Sequence, residues 1–291
     1  MLCWSGSVIV GRAAADLVPP VLFAALRWAT ALLIVLPFAW PHLRADWAAL
    51  WARRGVILVL ALLGVVFYNI LVYRGLHGTT AVNALLMQSA MPLLILPVSL
   101  VLYGERPRGA QVAAVIVSVV GVATIASHGS FDVLRRFAFN IGDGFVLVAV
   151  AAYAVYSAVL RRRPAAHPMS FLAATIGVGV VALVPLAAWE YTTGARMTSS
   201  PAAWLAVGYA GVFASFVATL FYNRGVELVG AARGGQYIHL MPVFGTLLAV
   251  LFLHEELHAY HGVGIALIAA GLLLASVQIR RPRLRPPSRA A

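Results

Sequence analysis

Two sets of polar residues interrupt long apolar stretches of this chain, 150 positions apart. Asn83, Gln88 and Ser89 precede Met91-Pro92, and Arg233, Gln236 and His239 precede Met241-Pro242. A proline inside a helix has no backbone donor and its ring clashes with the turn before it, so the carbonyl four residues back loses its partner. Pro92 would free the carbonyl of Gln88, and Pro242 that of Ile238. Free carbonyls beside amide and imidazole side chains make a polar pocket for a small molecule. The same side chains could instead bond between helices, where such pairs contribute about 0.6 kcal/mol on average. Arg27 is a third feature, a charge about two turns into an apolar run, where it costs at least about 2.5–3.5 kcal/mol. It suits the carboxylate of a substrate, and it could also snorkel or bind the carbonyls of a broken helix.

Aromatic residues add to this set. Trp4 aligns with Tyr153 across the repeat, and both suit a cavity wall. Asn69 and Tyr156 are further candidates, while Tyr73, Tyr222 and Asn223 fall near the ends of apolar runs, where interfacial belts form. No Asp or Glu falls in the middle third of any apolar run. Glu105 and Glu255, again 150 apart, lie at run ends and suit helix capping or pairing with loop arginines.

A different chemistry is written at His254-Glu255-Glu256-Leu257-His258. On one helix this spacing puts two imidazoles on a face to hold zinc, with Glu255 as general base. His261 could be a third ligand, and Asn140-Ile141-Gly142-Asp143-Gly144 loosely matches the Asp-Gly element of intramembrane metalloproteases. Against that alternative, Glu255 is already explained by its repeat partner Glu105, which has no histidine nearby. The motif also lies where the chain must turn, and its Asp-Gly element precedes rather than follows it. No phosphate loop, G-x-S-x-G elbow or dinucleotide fingerprint is present, so ATP-driven pumping and serine hydrolysis have no support.

The elements that must position these groups are transmembrane helices. The 291 residues are 62% hydrophobic and 10% charged, against roughly 45–50% and about 25% in soluble domains. Apolar runs of spanning length recur at Met1–Val10, Pro20–Ala39, Gly55–Val72, Thr80–Leu102, Gln111–Ala126, Gly142–Leu160, Ser170–Trp189, Ala202–Tyr222, Ala231–Leu253 and Gly262–Ile279. They are continuously apolar rather than alternating, which excludes barrel strands. The first rises only about 15 Å, so helix 1 is stunted or begins upstream of Met1. The single cysteine, Cys3, excludes an intramolecular disulfide.

All basic side chains apart from histidine are arginine, and their net charge of +12 sits in short connections and the tail rather than on a face for nucleic acid. Fourteen arginines fall on the side that holds both termini and five on the other, which places both termini in the cytoplasm. Five helices per half make the second half an inverted copy of the first. The expected organisation is therefore a repeat over 1–126, a connecting loop over 127–141, a second repeat over 142–279, and a disordered Arg/Pro-rich tail over 280–291. Broken helices at matching places in two such halves point to the binding site of a transporter.

Several stretches taken together resemble the drug/metabolite transporter superfamily, in particular its EamA-type members. These are Cys3-Trp4-Ser5-Gly6, Pro19-Pro20 followed by Leu26-Arg27-Trp28, Tyr73-Arg74-Gly75-Leu76, Thr79-Thr80-Ala81-Val82-Asn83, Met-Pro to Glu in helices 4 and 9, and Gly142-Asp143. The resemblance covers nearly the whole chain. It implies an all-α protein of ten transmembrane helices in a bacterial inner membrane, exporting amino acids or related metabolites through a central cavity. On that reading Trp4, Arg27, Asn83, Gln88, Tyr153, Gln236 and His239 contact cargo, Pro92 and Pro242 break the helices, and no cofactor or metal is needed. Its partners are the small-molecule cargo and the lipid bilayer.

Overall fold

A computed structural model describes residues 1–79, 81–127, 129–130, 132, 140–253 and 258–277. Among the described residues every regular element is helical and there is no strand. In chain order the helical rods are α1 (Leu2–Ala13), α2 (Pro20–Ala52), α3 (Arg54–Gly78), α4 (Ala81–Ser89 continuing as Met91–Tyr103) and α5 (Gly109–Ala126). Then come α6 (Ile141–Arg162), α7 (Pro168–Thr192), α8 (Pro201–Val229), α9 (Ala231–Gln236, Tyr237–His239 and Leu240–Leu253) and α10 (Ala259–Val277). Six of them, α2, α3, α4, α6, α7 and α8, are long and apolar enough to cross a membrane, and α5 and α10 contain shorter apolar helices. The Arg/Pro-rich tail and the His254–Leu257 stretch lie outside the described residues.

Local sequence explains the ends of these rods. Pro20, Pro168 and Pro201 open α2, α7 and α8 at the first helical position, where the missing N–H is no loss. Asn140 and Asp143 close a reciprocal capping box at the start of α6, each side chain accepting a backbone N–H of the other at 3.0 Å. Gly104 ends α4 at φ 66° and Gly230 separates α8 from α9 at φ 87°, a conformation that costs other residues more.

Three helices exceed the expected length. α2 runs on from Ala39 to Ala52, past Pro41, α3 from Val72 to Gly78, and α8 from Tyr222 to Val229. The extension of α2 makes a contact with the opposite half. Asp46, beyond the expected end of α2, accepts the N–H of His167 at 3.0 Å, just before α7 begins. Reciprocally, Glu190 near the end of α7 accepts the N–H groups of Val21 and Leu22 at 3.2 and 2.9 Å, at the start of α2. Each helix thus places a carboxylate on the other's N-terminus, so the two run antiparallel. Such a placement contributes about 0.3–1 kcal/mol, more when partly buried.

Small residues let other helices touch through their backbones. A Cβ added at Gly121 of α5 would lie 2.7 Å from the carbonyl oxygen of Gly264, and one at Gly271 of α10 would lie 2.6 Å from that of Ala114. Gly75 and Gly142 join α3 to α6 in the same way, at 2.8 and 2.7 Å.

Both breaks fall immediately before the Met-Pro pairs. α4 is interrupted at Ala90, and α9 tightens to a 3-10 turn over Tyr237–His239. There Nε2 of the fully buried His239 is 2.9 Å from the carbonyl oxygen of Ser89, and the Ser5 hydroxyl donates to the carbonyl of Met241 at 2.9 Å. Carbonyls at the breaks therefore have partners inside the protein, as an apolar environment requires.

Candidate functional site

The rods enclose a central cavity of about 50 Å3 to which both halves contribute. Trp4 and Ser7 enter from α1, Arg27 and Trp28 from α2, Tyr68 from α3 and Gln88 from α4. The second half supplies Tyr153 and Tyr156 from α6, Thr175 from α7, Thr219 from α8 and Met241 from α9. Four sequence candidates, Trp4, Arg27, Gln88 and Tyr153, meet here. The other three stand behind the wall. Gln236 and His239 are buried outside the lining and Asn83 is half-buried. Pro92 and Pro242 are buried as well and lie outside the lining, while their neighbours Gln88, Met91, Ile238 and Met241 form part of it.

Arg27 is 6% exposed. Its Nε donates to the hydroxyl of Ser215 at 2.7 Å and its Nη1 donates to the hydroxyl of Tyr73, which also lies 3.5 Å from the Ser7 hydroxyl. The guanidinium carbon is 5.5 Å from the ring centres of Trp28 and Tyr73. Arg27 thus neither snorkels nor binds carbonyls; it is held between hydroxyls and aromatic faces. The ion pairs among the described residues join Arg161 to Glu105, and Arg163 and Arg224 to Glu227. None reaches Arg27. Removing a charge from water without a counter-charge costs several kcal/mol.

Two more donors line the cavity without acceptors, Nε1 of Trp28 and Nε2 of Gln88, on residues 3% and 2% exposed. The Gln88 amide oxygen is occupied by the Tyr68 hydroxyl at 3.1 Å. A cation and two orphan N–H groups make this wall complementary to an oxyanion.

The rest of the lining is largely aromatic and centres on Tyr153, whose ring lies 4.6 Å from Tyr68, 4.8 Å from Tyr156, 5.7 Å from Tyr222 and 5.9 Å from Trp4. Two of their polar tips are bonded to neighbours: Tyr156 donates to the Asn223 amide oxygen at 2.7 Å, and the hydroxyls of Ser157 and Tyr222 lie 2.7 Å apart. Tyr73, Tyr222 and Asn223 are therefore interior residues, 4–6% exposed, and not members of an interfacial belt. The correction follows from helix length. With α3 reaching Gly78 and α8 reaching Val229, these positions move from the ends of their helices into the body of the bundle.

One device escaped the sequence reading. α3 and α8 each widen into a π-helical segment, over Ala61–Phe67 and Ala210–Val217. Widening displaces carbonyls from the regular ladder. The Asn69 amide donates to the carbonyls of Gly64 and Val65 at 3.0 and 2.9 Å, and Thr219 donates to that of Ala214 at 3.2 Å. The Trp4 indole also reaches the Ala214 carbonyl, at 3.0 Å. Gly64 admits Tyr156 against this segment, where a Cβ would lie 2.7 Å from the ring. The sequence signal was present: Gly64 and Ala214, like Asn69 and Thr219, are 150 apart.

The remaining carboxylates are structural. Asp143 is fully buried, caps α6 and accepts from Thr79 at 2.5 Å, while Glu105 pairs with Arg161 at 2.6 Å on the surface. His254 and Glu255 of the zinc-like motif lie outside the described residues. Among the described residues no three metal-ligating side chains converge, and the Nδ1 of His261 accepts the backbone N–H of His258 at 3.0 Å.

Comparison with known proteins agrees with this architecture. The chain is 25% identical over 288 residues to the uncharacterized transporter YetK of Bacillus subtilis, covering 96% of this chain and 85% of that protein. It is 23% identical over 235 residues to the uncharacterized transporter YyaM of the same organism, covering 80% and 77%. A solved crystal structure at 22% identity superposes with a TM-score of 0.69 over 96% of each chain, so the fold is shared. The two Bacillus subtilis relatives are transporters rather than enzymes, and the protease alternative finds no support. The EamA-like transporter model matches residues 1–127 and 140–277, and the chain belongs to the EamA-like transporter family.

Proposed function

We propose that the protein is a secondary exporter of small carboxylate-bearing metabolites, amino acids among them, acting by alternating access around the central cavity. The observation that carries this reading is Arg27, a buried cation with no described carboxylate partner, beside the orphan donors of Trp28 and Gln88. A cargo carboxylate supplies the missing counter-charge. The ammonium of an amino acid then meets the faces of Tyr68 and Tyr153, where a desolvated cation gains about 2 kcal/mol. A lipophilic cation is repelled by Arg27 and finds no described carboxylate in the wall.

The cavity's volume of about 50 Å3 holds only a few waters. Small-molecule sites take roughly 300 Å3 or more, so the aromatic wall has to part to admit cargo. Two inverted five-helix repeats with ten crossings, both termini cytoplasmic, provide a hinge for that movement. Three observations support the repeat. His239 meets its own repeat mate Ser89 across 150 positions, as residues near a two-fold axis do. Gly121 on Gly264 and Gly271 on Ala114 are the same contact with the halves exchanged. α2 and α7 trade carboxylates end to end.

The test is export by cells carrying the wild-type protein, Arg27→Gln or Arg27→Lys. Wild type is expected to raise tolerance to toxic amino-acid analogues and leave tolerance to quaternary ammonium compounds unchanged. Arg27→Gln abolishes the gain and Arg27→Lys retains part of it. Tolerance to quaternary ammonium compounds alone would overturn the assignment of cargo.

A further inference from the structure

A second concavity, of about 620 Å3, opens where α4 ends and α9 begins. Its floor is Leu96 and Ser99 of α4, and its rim carries four arginines, Arg106, Arg108, Arg161 and Arg233, against one carboxylate, Glu105. Glu105 is taken by Arg161 at 2.6 Å. The guanidinium groups of Arg106, Arg108 and Arg233 have no acceptor among the described residues, and Arg233 is half-buried in the first turns of α9. Loop arginines that only set topology need no partner, because water solvates them. A half-buried guanidinium inside an apolar helix is different, since lost hydration has to be replaced.

The basin also lies in line with the central cavity. On its inner side Ile95 of α4 packs on Gly235 of α9, so closely that a Cβ at Gly235 would lie 2.5 Å from the Ile95 side chain. Beyond that contact the same two helices turn Met91, Ile238 and Met241 into the central cavity. Ile95 and Gly235 thus form a plug between two chambers along one pair of broken helices.

We infer that this basin is a second binding site, which takes an oxyanion, carboxylate or phosphate, on Arg106, Arg108 and Arg233. Guanidinium groups bind both anions through paired N–H donors. The oxyanion comes either from a soluble metabolite waiting outside the Ile95–Gly235 plug or from the headgroup of an anionic phospholipid. Placing the site on the transport route rests on reading the central cavity as the transport chamber; the binding itself does not.

Inorganic phosphate is the probe, titrated calorimetrically into the full-length protein in a neutral detergent. Saturable binding is expected, weakening as sodium chloride is raised. The Arg106→Gln/Arg233→Gln double variant should lose about tenfold or more in affinity, the equivalent of one charge-assisted contact. The charge-preserving Arg106→Lys/Arg233→Lys variant should retain much of it and guards against a folding or topology defect. Arg27→Gln should keep the component of phosphate binding that the Arg106→Gln/Arg233→Gln variant loses, so a failure of the central-cavity reading and a failure of this one register separately. Repeating the titration in nanodiscs of phosphatidylcholine and of phosphatidylglycerol separates the sources. Competition by phosphatidylglycerol assigns the site to a lipid headgroup, and its absence assigns it to a soluble anion. No saturable phosphate binding, or equal binding by the Arg-to-Gln double variant, overturns the proposal.

Discussion

The hydroxyl of Tyr73 offers the sharpest probe of how the central cation is held. It accepts from Nη1 of Arg27 and lies 3.5 Å from the Ser7 hydroxyl, while Nε of Arg27 donates to a second hydroxyl, that of Ser215, at 2.7 Å. Tyr73→Phe keeps the ring, and with it the edge-to-face contact with Phe23 at 4.6 Å and the cation–π contact with Arg27 at 5.5 Å. It removes only the acceptor. A hydrogen bond to a charged group contributes about 1.5–3 kcal/mol, and one kcal/mol moves the melting point of a 150–250-residue domain by about 2–4 °C. The variant should therefore melt about 3–12 °C below wild type in the same detergent. If Arg27 awaits a carboxylate, saturating cargo supplies the lost acceptor, and ligand-induced stabilisation should be larger for Tyr73→Phe than for wild type. Ser215→Ala should behave alike, and the double variant should lose more than the sum, because the charge is then left without either hydroxyl. A Tyr73→Phe protein that melts with wild type, or is stabilised no further by cargo, would refute the view of Arg27 as a buried charge short of acceptors.

Replacing Pro92 or Pro242 by alanine restores a backbone donor at the break, so melting temperature should hold or rise while efflux falls; unchanged efflux in both variants would show that the breaks are not needed for transport. Reporter fusions after Val277 should give a cytoplasmic signal, and a periplasmic one would exclude the ten-crossing inverted repeat. Gly121→Leu and Gly271→Leu should each destabilise the protein by about 1–3 kcal/mol or more in a melting assay, because a side chain cannot fit where a Cβ already lies within 2.7 Å of a carbonyl oxygen. Equal losses for the two are expected if these contacts are one interface repeated.

Most of the architecture could be read from the chain because hydrocarbon imposes a simple rule: an uninterrupted apolar run must be a helix. The broken positions are legible from the repeat of Met-Pro across 150 positions rather than from proline alone, since Pro37, Pro41, Pro97 and Pro185 lie inside unbroken helices. What periodicity could not give was where each helix stops and which way its polar tips point. The extension of α2 to Ala52 depends on Asp46 meeting His167, 121 positions away, and no local pattern encodes that meeting. Tyr73 and Tyr222 were misplaced for the same reason, because an aromatic near the end of an apolar run fits a lipid interface until the helix proves longer. The π segments were hidden differently. Their sequence, apolar with one glycine or alanine at the turn, is ordinary, and the partner that licenses the widening lies five residues on, at Asn69 and Thr219. Read singly, an amide and a hydroxyl in an apolar helix mean little. Read as a pair 150 apart, each bonding the carbonyl that its mate's position demands, they mark π-helical segments at matching places in the two halves, and both residues' helices line the same cavity. The repeat is therefore the more informative signal for such a chain: Asn69 and Thr219, which recur across it, each satisfy a backbone carbonyl, whereas Arg27, whose counterparts near Ile176 and Gly177 are apolar, has no such shared role.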